Sequence, residues 1–281
     1  MGRNKLKKEF LNIYLHGTKQ LEGLLNGKIV SREKLHHWPL SYVEKITMKD
    51  NTSFVYKSQR SAASVEKEFY FKFKAPFLTS PIYSEAYKNC DIMIMPYLDY
   101  PTMGEVSEDK LEEIAFDISR RIQDFSGLPV FFDLSSAEKL ARVIDDVCVV
   151  FEGKGEDRNI AALKNWVSKT ARLCYDNREI GNLHGDLNAA NMLFENGKLR
   201  YLLDWQRPMS APLLLENALA FRSVGYDAVK RYGDFGILAL ICHFIWYAYA
   251  YRELLPFDAL YNTAQKLLLE FISIERGESL I

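Results

Sequence analysis

Three oxygen-bearing side chains, Asp186, Asn191 and Asp204, stand out by type and spacing. Asp186 and Asn191 are five residues apart in HGDLNAAN, and Asp204 follows Asp186 by eighteen residues in LLDW. Between them, NMLF and LRYLL are apolar, strand-like runs separated by ENGK, whose Asn196-Gly197 pair is a strong hairpin signal. A hairpin there folds the longer interval back, so the three side chains can converge. An Asp, an Asn and a second Asp suit phosphoryl transfer, which needs charge neutralised and an acceptor aligned but little covalent work from the protein. Mg²⁺ takes hard oxygen ligands, usually one or two carboxylates plus phosphate oxygens and water. Asn191 and Asp204 can supply the protein oxygens, while Asp186 lies where an acceptor hydroxyl could hydrogen-bond to it. The competing reading is a capped turn, with Asp186 and Asn188 bonding backbone amides.

HGDLNAAN followed by LLDW resembles the catalytic and metal-binding loops of aminoglycoside phosphotransferases and choline-kinase-like enzymes, distant relatives of protein kinases. The resemblance implies Asp186 as the catalytic residue, Asn191 and Asp204 as holders of Mg²⁺, and His184 as a brace for the loop. It implies ATP or GTP as the phosphate donor and an α+β, bilobal, protein-kinase-like fold. In such a fold a small antiparallel-sheet lobe, with extra N-terminal helices in residues 1–37, spans residues 1–95. A mainly helical lobe with the catalytic hairpin and the acceptor site spans residues 96–281. The nucleotide is expected in the cleft between them.

The elements that must position these residues are read from periodicity. Residues 3–25 carry Leu6, Phe10, Ile13, Tyr14, Leu21, Leu24 and Leu25 at helical spacing, broken near Gly17, and Pro39 closes the helical pattern. From Tyr42 to Ser58 the period changes to two, so YVEKITMK and SFVYKS read as a β-hairpin around DNT. Lys57 sits at its far end; the resemblance implies that it contacts the donor's α/β-phosphates, the alternative being a lysine that protects an edge strand. A helix follows, with Ser61 or Ser64 as possible N-caps. One of its glutamates should pair with Lys57; Glu66 and Glu68 compete, and the EFYF context favours Glu68. The turn matching the family's phosphate-binding loop falls near Pro39-Leu40-Ser41 and contains no glycine; the resemblance, in which a serine is tolerated there, implies Ser41 as the candidate phosphate contact. DIMIMPYL reads as a strand leading into a hinge, where the Pro96 carbonyl and the Leu98 amide could receive adenine; an ordinary edge strand ended by proline is the alternative.

Beyond the hinge the chain reads as helical. Leu111, Ile114, Ala115, Ile118 and Ile122 share one face, followed by AEKLARVIDDVCVVF and IAALKNWVSKTARLCY. EGKGEDRN is a polar turn whose GxG lacks strand–helix context. Downstream of the motif, Glu216 stands near the place where the family has an acidic residue supporting the catalytic loop. Arg207, directly after DWQ, reads as structural or substrate-facing. The apolar run from Phe235 to Tyr251 contains His243 and reads as a buried helix rather than a membrane span.

With 48% hydrophobic and 26% charged residues, the 281-residue chain reads as soluble and globular. Residues 1–74 hold 15 Lys and Arg against 7 Asp and Glu, and the remainder 21 against 30. A basic half suits nucleotide phosphates and an acidic half a cationic acceptor, although solvated surface charge gives the same counts. Cys90, Cys148, Cys174 and Cys242 show neither zinc spacing nor a disulfide framework, and MGRNKLKKEF lacks a signal-peptide core. These point to the cytoplasm. Neither a nucleic-acid nor a membrane partner is expected.

The reading is therefore an ATP- or GTP- and Mg²⁺-dependent small-molecule kinase. Its acceptor is a hydroxyl of an aminoglycoside, amino-alcohol or sugar, cationic acceptors included. Two other readings stand beside it: a non-catalytic nucleotide-binding or regulatory protein on the same fold, motivated by the glycine-free turn, and a protein kinase, disfavoured because HGD and DWQ replace HRD and DFG.

Overall fold

The computed structural model describes residues 13–254 and 256–278, which form two compact units. The expected helical residues Leu6 and Phe10 lie outside the described residues. One unit comprises the described residues up to Thr102 together with Leu193–Gln206; the other comprises Met103–Met192 and the residues from Arg207 onward. The first unit thus contains most of the hairpin that follows the HGDLNAAN motif as well as the N-terminal sheet.

In the first unit, helix α1 (Thr18–Leu24) precedes five strands: β1 (Ile29–Trp38), β2 (Ser41–Met48), β3 (Ser53–Arg60), β4 (Tyr83–Tyr87) and β5 (Cys90–Pro96). They form one antiparallel sheet in the order β1-β2-β3-β5-β4. The expected hairpin is β2–β3, with Ser41 opposite Gln59 and Thr47 opposite Ser53. Strand β1 replaces what the sequence read as the tail of a helical pattern. Its residues are mostly exposed, so the period-two signal is hidden behind charge and histidine. Trp38 lies opposite Ser41, so Pro39 and Leu40 form the two-residue turn expected of the glycine-free loop. Leu21 of α1 packs with Tyr42, Ile46, Tyr56, Ile92 and Ile94 in the core of this unit. A short helix α2 (Glu66–Lys72) follows β3, and the Ser64 Oγ accepts from the Glu66 amide at 3.0 Å.

The hairpin consists of β8 (Met192–Glu195) and β9 (Lys198–Leu202). Asn196 (φ 51°) and Gly197 (φ 73°) are both left-handed, as a twist-matched two-residue turn requires.

The second unit is mainly helical. Helix α3 (Glu108–Ile122) is capped by Ser107, and the five apolar residues predicted to share a face are all buried. Helices α4 (Ala137–Cys148) and α5 (Asp157–Lys169) follow at the expected places. Strands β6 (Phe132–Asp133), β7 (Ile180–Leu183) and β10 (Met209–Pro212) form a small sheet in the order β6-β10-β7. Helices α6 (Leu214–Ser223), α7 (Ala228–Tyr232), α8 (Asp234–Tyr249) and α9 (Asp258–Glu275) complete the unit. The continuous helix Asp234–Leu254 is long and apolar enough to cross a bilayer, but 72% of its apolar window is buried within the protein. It is a core helix, packed on α6, α7 and α9. Antiparallel N-terminal sheet and helical C-terminal part together give the expected α+β class.

Candidate active site

In the first unit the chemistry gathers around Lys57 of β3. Its Nζ lies 2.6 Å from Glu66 Oε2 and 2.5 Å from Asp204 Oδ1, and its side chain is 7% exposed. The partner is therefore Glu66, not the expected Glu68. Glu66 opens α2 and is 1% exposed, whereas Glu68 is exposed. Two residues along a helix turn a side chain by about 200°, so one glutamate faces the sheet and the other solvent. Burial works against the Lys57 ammonium, but the two carboxylates outweigh it and its pKa is raised. Burial also pushes the Glu66 carboxyl up; Lys57 opposes this, and the like charge of Asp204 adds to it.

A network fixes this cluster. Gln59 Nε2 donates to Ser64 Oγ (2.9 Å) and Glu66 Oε2 (3.1 Å), and Gln206 Nε2 donates to Gln59 Oε1 (2.8 Å). The Gln206 carbonyl accepts from the Val65 amide at 3.0 Å, just before the helix. Trp205, fully buried, stacks on Phe69 of α2 with ring centroids 4.0 Å apart. The tripeptide Asp204-Trp205-Gln206 thus docks against the helix that holds Lys57. Asp204 has φ 65°, a left-handed conformation that Asp and Asn adopt more readily than other residues with a Cβ. Gln59 and Gln206 went unrecognised in the sequence, because no local pattern marks a glutamine pair 147 residues apart. Ser41 is buried where β2 leaves the two-residue turn, Pro96 ends β5 exposed, and Leu98 follows half-buried.

In the second unit the HGD loop leaves β7 and is held from behind by Glu216 in the first turn of α6. Glu216 is fully buried and accepts from the His184 amide (2.6 Å) and the Gly185 amide (3.1 Å). Burial pushes its carboxyl up to about 7, against those two amides and helped by the charge of Asp186. Gly185 has φ 80°, and a Cβ there would sit 2.9 Å from the Arg207 carbonyl oxygen, so the middle residue of HGD must be glycine. His184 is fully buried, and its Nδ1 accepts from the Asp186 amide at 3.3 Å.

Asn188 caps the 3₁₀ turn Ala189–Asn191 by accepting from the Ala190 and Asn191 amides, so part of the capped-turn reading holds. The Asp186 carboxylate instead takes side-chain partners. Its Oδ1 accepts from Asn188 Nδ2 at 3.1 Å and its Oδ2 from Arg207 Nη2 at 3.1 Å. Asn191 Nδ2 donates to the Asp186 carbonyl at 2.9 Å. That bond orients the amide and leaves Oδ1 as its acceptor atom. Among the described residues no group of three or more His, Cys, Asp and Glu side chains is gathered as a metal centre. Asn191 Oδ1 in the second unit and the Asp204 carboxylate in the first are each hard oxygen donors of the kind Mg²⁺ takes alongside phosphate and water.

A cavity of about 240 Å³ opens beside Asp186 within the second unit. Arg207, Trp246, Tyr247, Ser223 and His243 contribute to its wall. The Arg207 guanidinium sits 4.1 Å from the centre of the Trp246 ring. Arg222 forms a two-point ion pair with Glu270 (2.8 and 2.8 Å), and its Nε donates to His243 Nδ1 at 3.3 Å. Burial, then the nearby Arg222, pushes the His243 pKa down to about 4, so the ring is neutral at pH 7.

Comparison with known proteins bears on the family and the fold. A family model described as the phosphotransferase enzyme family matches residues 87–246. Curated protein sequences show no match. Among solved structures, a thermostable mutant of aminoglycoside phosphotransferase APH(4)-Ia, in ternary complex with ADP and hygromycin B, is similar at TM-score 0.63 and 11% identity, covering 94% of this chain and 99% of that one. The gentamicin complex of APH(2")-IIa is similar at TM-score 0.62 and 14% identity, covering 91% and 96%. Macrolide 2'-phosphotransferase MphH from Brachybacterium faecium is similar at TM-score 0.59 and 13% identity, covering 89% and 95%. At these identities the likeness establishes the fold.

Proposed function

Since the chain belongs to the phosphotransferase enzyme family, we propose that it transfers the γ-phosphoryl group of ATP to a hydroxyl of a small molecule, with GTP as the alternative donor. The observation that carries this reading is the Asp186 carboxylate at the wall of a cavity. Asn188 and Arg207 each hold one of its oxygens, on a loop anchored by Glu216.

Asp186 orients the acceptor hydroxyl and takes up its proton as the new P–O bond forms and the bridging bond to the nucleoside diphosphate breaks. Each Asp186 oxygen has a second lone-pair position for that hydroxyl. Lys57, held by Glu66, positions the donor phosphates. When bound, Mg²⁺ would neutralise charge on those phosphates, with Asn191 and Asp204 as its protein ligands. Ser41 is the proposed phosphate contact, and Pro96 and Leu98 the proposed adenine contacts. The buried cysteines, none in a disulfide, support a reducing cytoplasm. The glycine-free turn keeps a second reading in play, a nucleotide-binding protein without turnover; ADP formation on any hydroxylated acceptor excludes it.

The test is Asp186→Ala. Nucleotide binding should persist, while ADP formation in the presence of acceptor falls by about 10³-fold or more. Near-normal turnover in that variant refutes the assignment.

A further inference from the structure

The cavity beside Asp186 has a charge balance that discriminates among acceptors. Among the described residues Asp186 is the only acidic one in its wall, and its charge is already matched by Arg207 at 3.1 Å. Glu270 is committed at two points to Arg222, and His243 is neutral. The acidic surplus of the C-terminal part therefore does not line this cavity. An ammonium group entering it would lose its water, meet the Arg207 guanidinium, and find no unmatched carboxylate. What the wall offers instead is the aromatic and apolar surface of Phe132, Trp246 and Tyr247, with hydrogen-bonding groups on Asn188 and Ser223. That combination suits the C–H faces and hydroxyls of an uncharged polyol. The volume, about 240 Å³, lies below the ~300–1,000 Å³ usual for drug-sized ligands, so one ring fits better than several.

We propose that the acceptor is a small uncharged polyol or monosaccharide, and that Arg207 sets this preference by matching the charge of Asp186 and repelling amines. The inference rests on the phosphotransferase reading and names the substrate class of that same site. Arg207 is suited to the task because its position is fixed three ways. Its chain continues into β10, its guanidinium rests on Trp246, and its Nη2 bonds Asp186.

The experiment uses matched pairs of acceptors differing by one amine: glycerol and 3-amino-1,2-propanediol, glucose and glucosamine, sorbitol and glucamine, with kanamycin as a multi-ring polycation. ADP formation from Mg²⁺-ATP is followed near pH 7, and Mg²⁺-ATP binding is measured calorimetrically on the same sample. At least one neutral member should be a substrate, with kcat/KM at least roughly tenfold above its amine partner. In Arg207→Gln all rates fall, because Asp186 loses a partner, but the neutral-to-amine ratio collapses towards one. Arg207→Lys restores the ratio. A loss of packing alone would lower every rate without moving the ratio, and unfolding would show in the melting temperature. Amine-bearing acceptors used as well as neutral ones by the parent enzyme, or a ratio untouched in Arg207→Gln, overturn the inference while the phosphotransferase reading stands. Mg²⁺-ATP binding with no ADP from any pair also overturns it. Failure to bind Mg²⁺-ATP at all removes the underlying reading instead.

Discussion

Replacing Glu216 by Gln should stabilise the protein above neutral pH and at the same time slow it. Glu216 is fully buried; its partners are two backbone amides, among the described residues no cation pairs with it, and the charge acting on it is that of Asp186, of like sign. Burial therefore dominates and raises its pKa from the ordinary 4.5 to about 7. Between those values the folded state holds the proton more tightly than the unfolded state. Stability contributed by the protonated group is complete below about pH 4.5 and is lost as pH rises through about 7. The gap corresponds to about 3 kcal/mol. Glutamine has the shape of the protonated acid and never ionises. Parent and variant should match within about 0.5 kcal/mol near pH 4.5, and the variant should lead by up to about 3 kcal/mol near pH 8. Urea unfolding across this range, read as the difference between the two proteins, cancels every other titrating group. Turnover should move the other way. The glutamine NH₂ faces one of the two loop amides, leaves a buried N–H unpaired, and loosens the loop under Asp186. A variant that becomes relatively less stable as pH rises would show that the amides, not burial, set the Glu216 pKa, and the reasoning would fail.

Glu66→Ala, which strands the buried Lys57 with Asp204 alone, should cost about 3–5 kcal/mol in chemical denaturation; Glu68→Ala, at an exposed site, should stay within about 0.5 kcal/mol. The reverse order would reject the Lys57–Glu66 assignment. Gly185→Ala forces an L side chain to φ 80° and 2.9 Å from a backbone oxygen, so a loss of about 1–3 kcal/mol together with impaired turnover is expected; unfolding and kinetic assays on one preparation check both. Asp204→Asn should weaken Mg²⁺-nucleotide binding, and an unchanged Mg²⁺ dependence of nucleotide affinity counts against its role as a ligand.

Much of this arrangement was legible because it is written locally. The Asn196-Gly197 turn announces itself by residue type, and the α3 face by its spacing. Strand β1 was not legible, because both its faces are largely exposed and carry Arg32, Glu33, Lys34, His36 and His37 rather than alternating apolar residues. The choice between Glu66 and Glu68 depended on the phase of a two-turn helix relative to the sheet, which the EFYF context does not encode. Arg207 could not be resolved either, since its ring partner Trp246 lies 39 residues downstream. Glu216 was found by position alone; that its longer side chain still reaches two loop amides emerges only from the fold.

Glu66 and Glu216, both buried, solve one problem in opposite ways, and the difference has consequences for pH. Each fixes a residue of the proposed site: Glu66 holds Lys57, and Glu216 holds the loop that carries Asp186. Glu66 acts through an ion pair, and the ammonium it shares with Asp204 has a raised pKa, so Lys57 stays charged across the neutral range. Glu216 acts through backbone amides, and burial raises its pKa to about 7, so its own protonation falls within that range. Below about pH 7 its carboxyl holds a proton, and one oxygen can no longer accept fully from the loop. Lys57 thus keeps its charge through the range in which the Asp186 loop loosens. A fall in turnover on mild acidification should therefore leave nucleotide affinity intact, and it should vanish in Glu216→Gln, whose loop is held equally loosely at every pH.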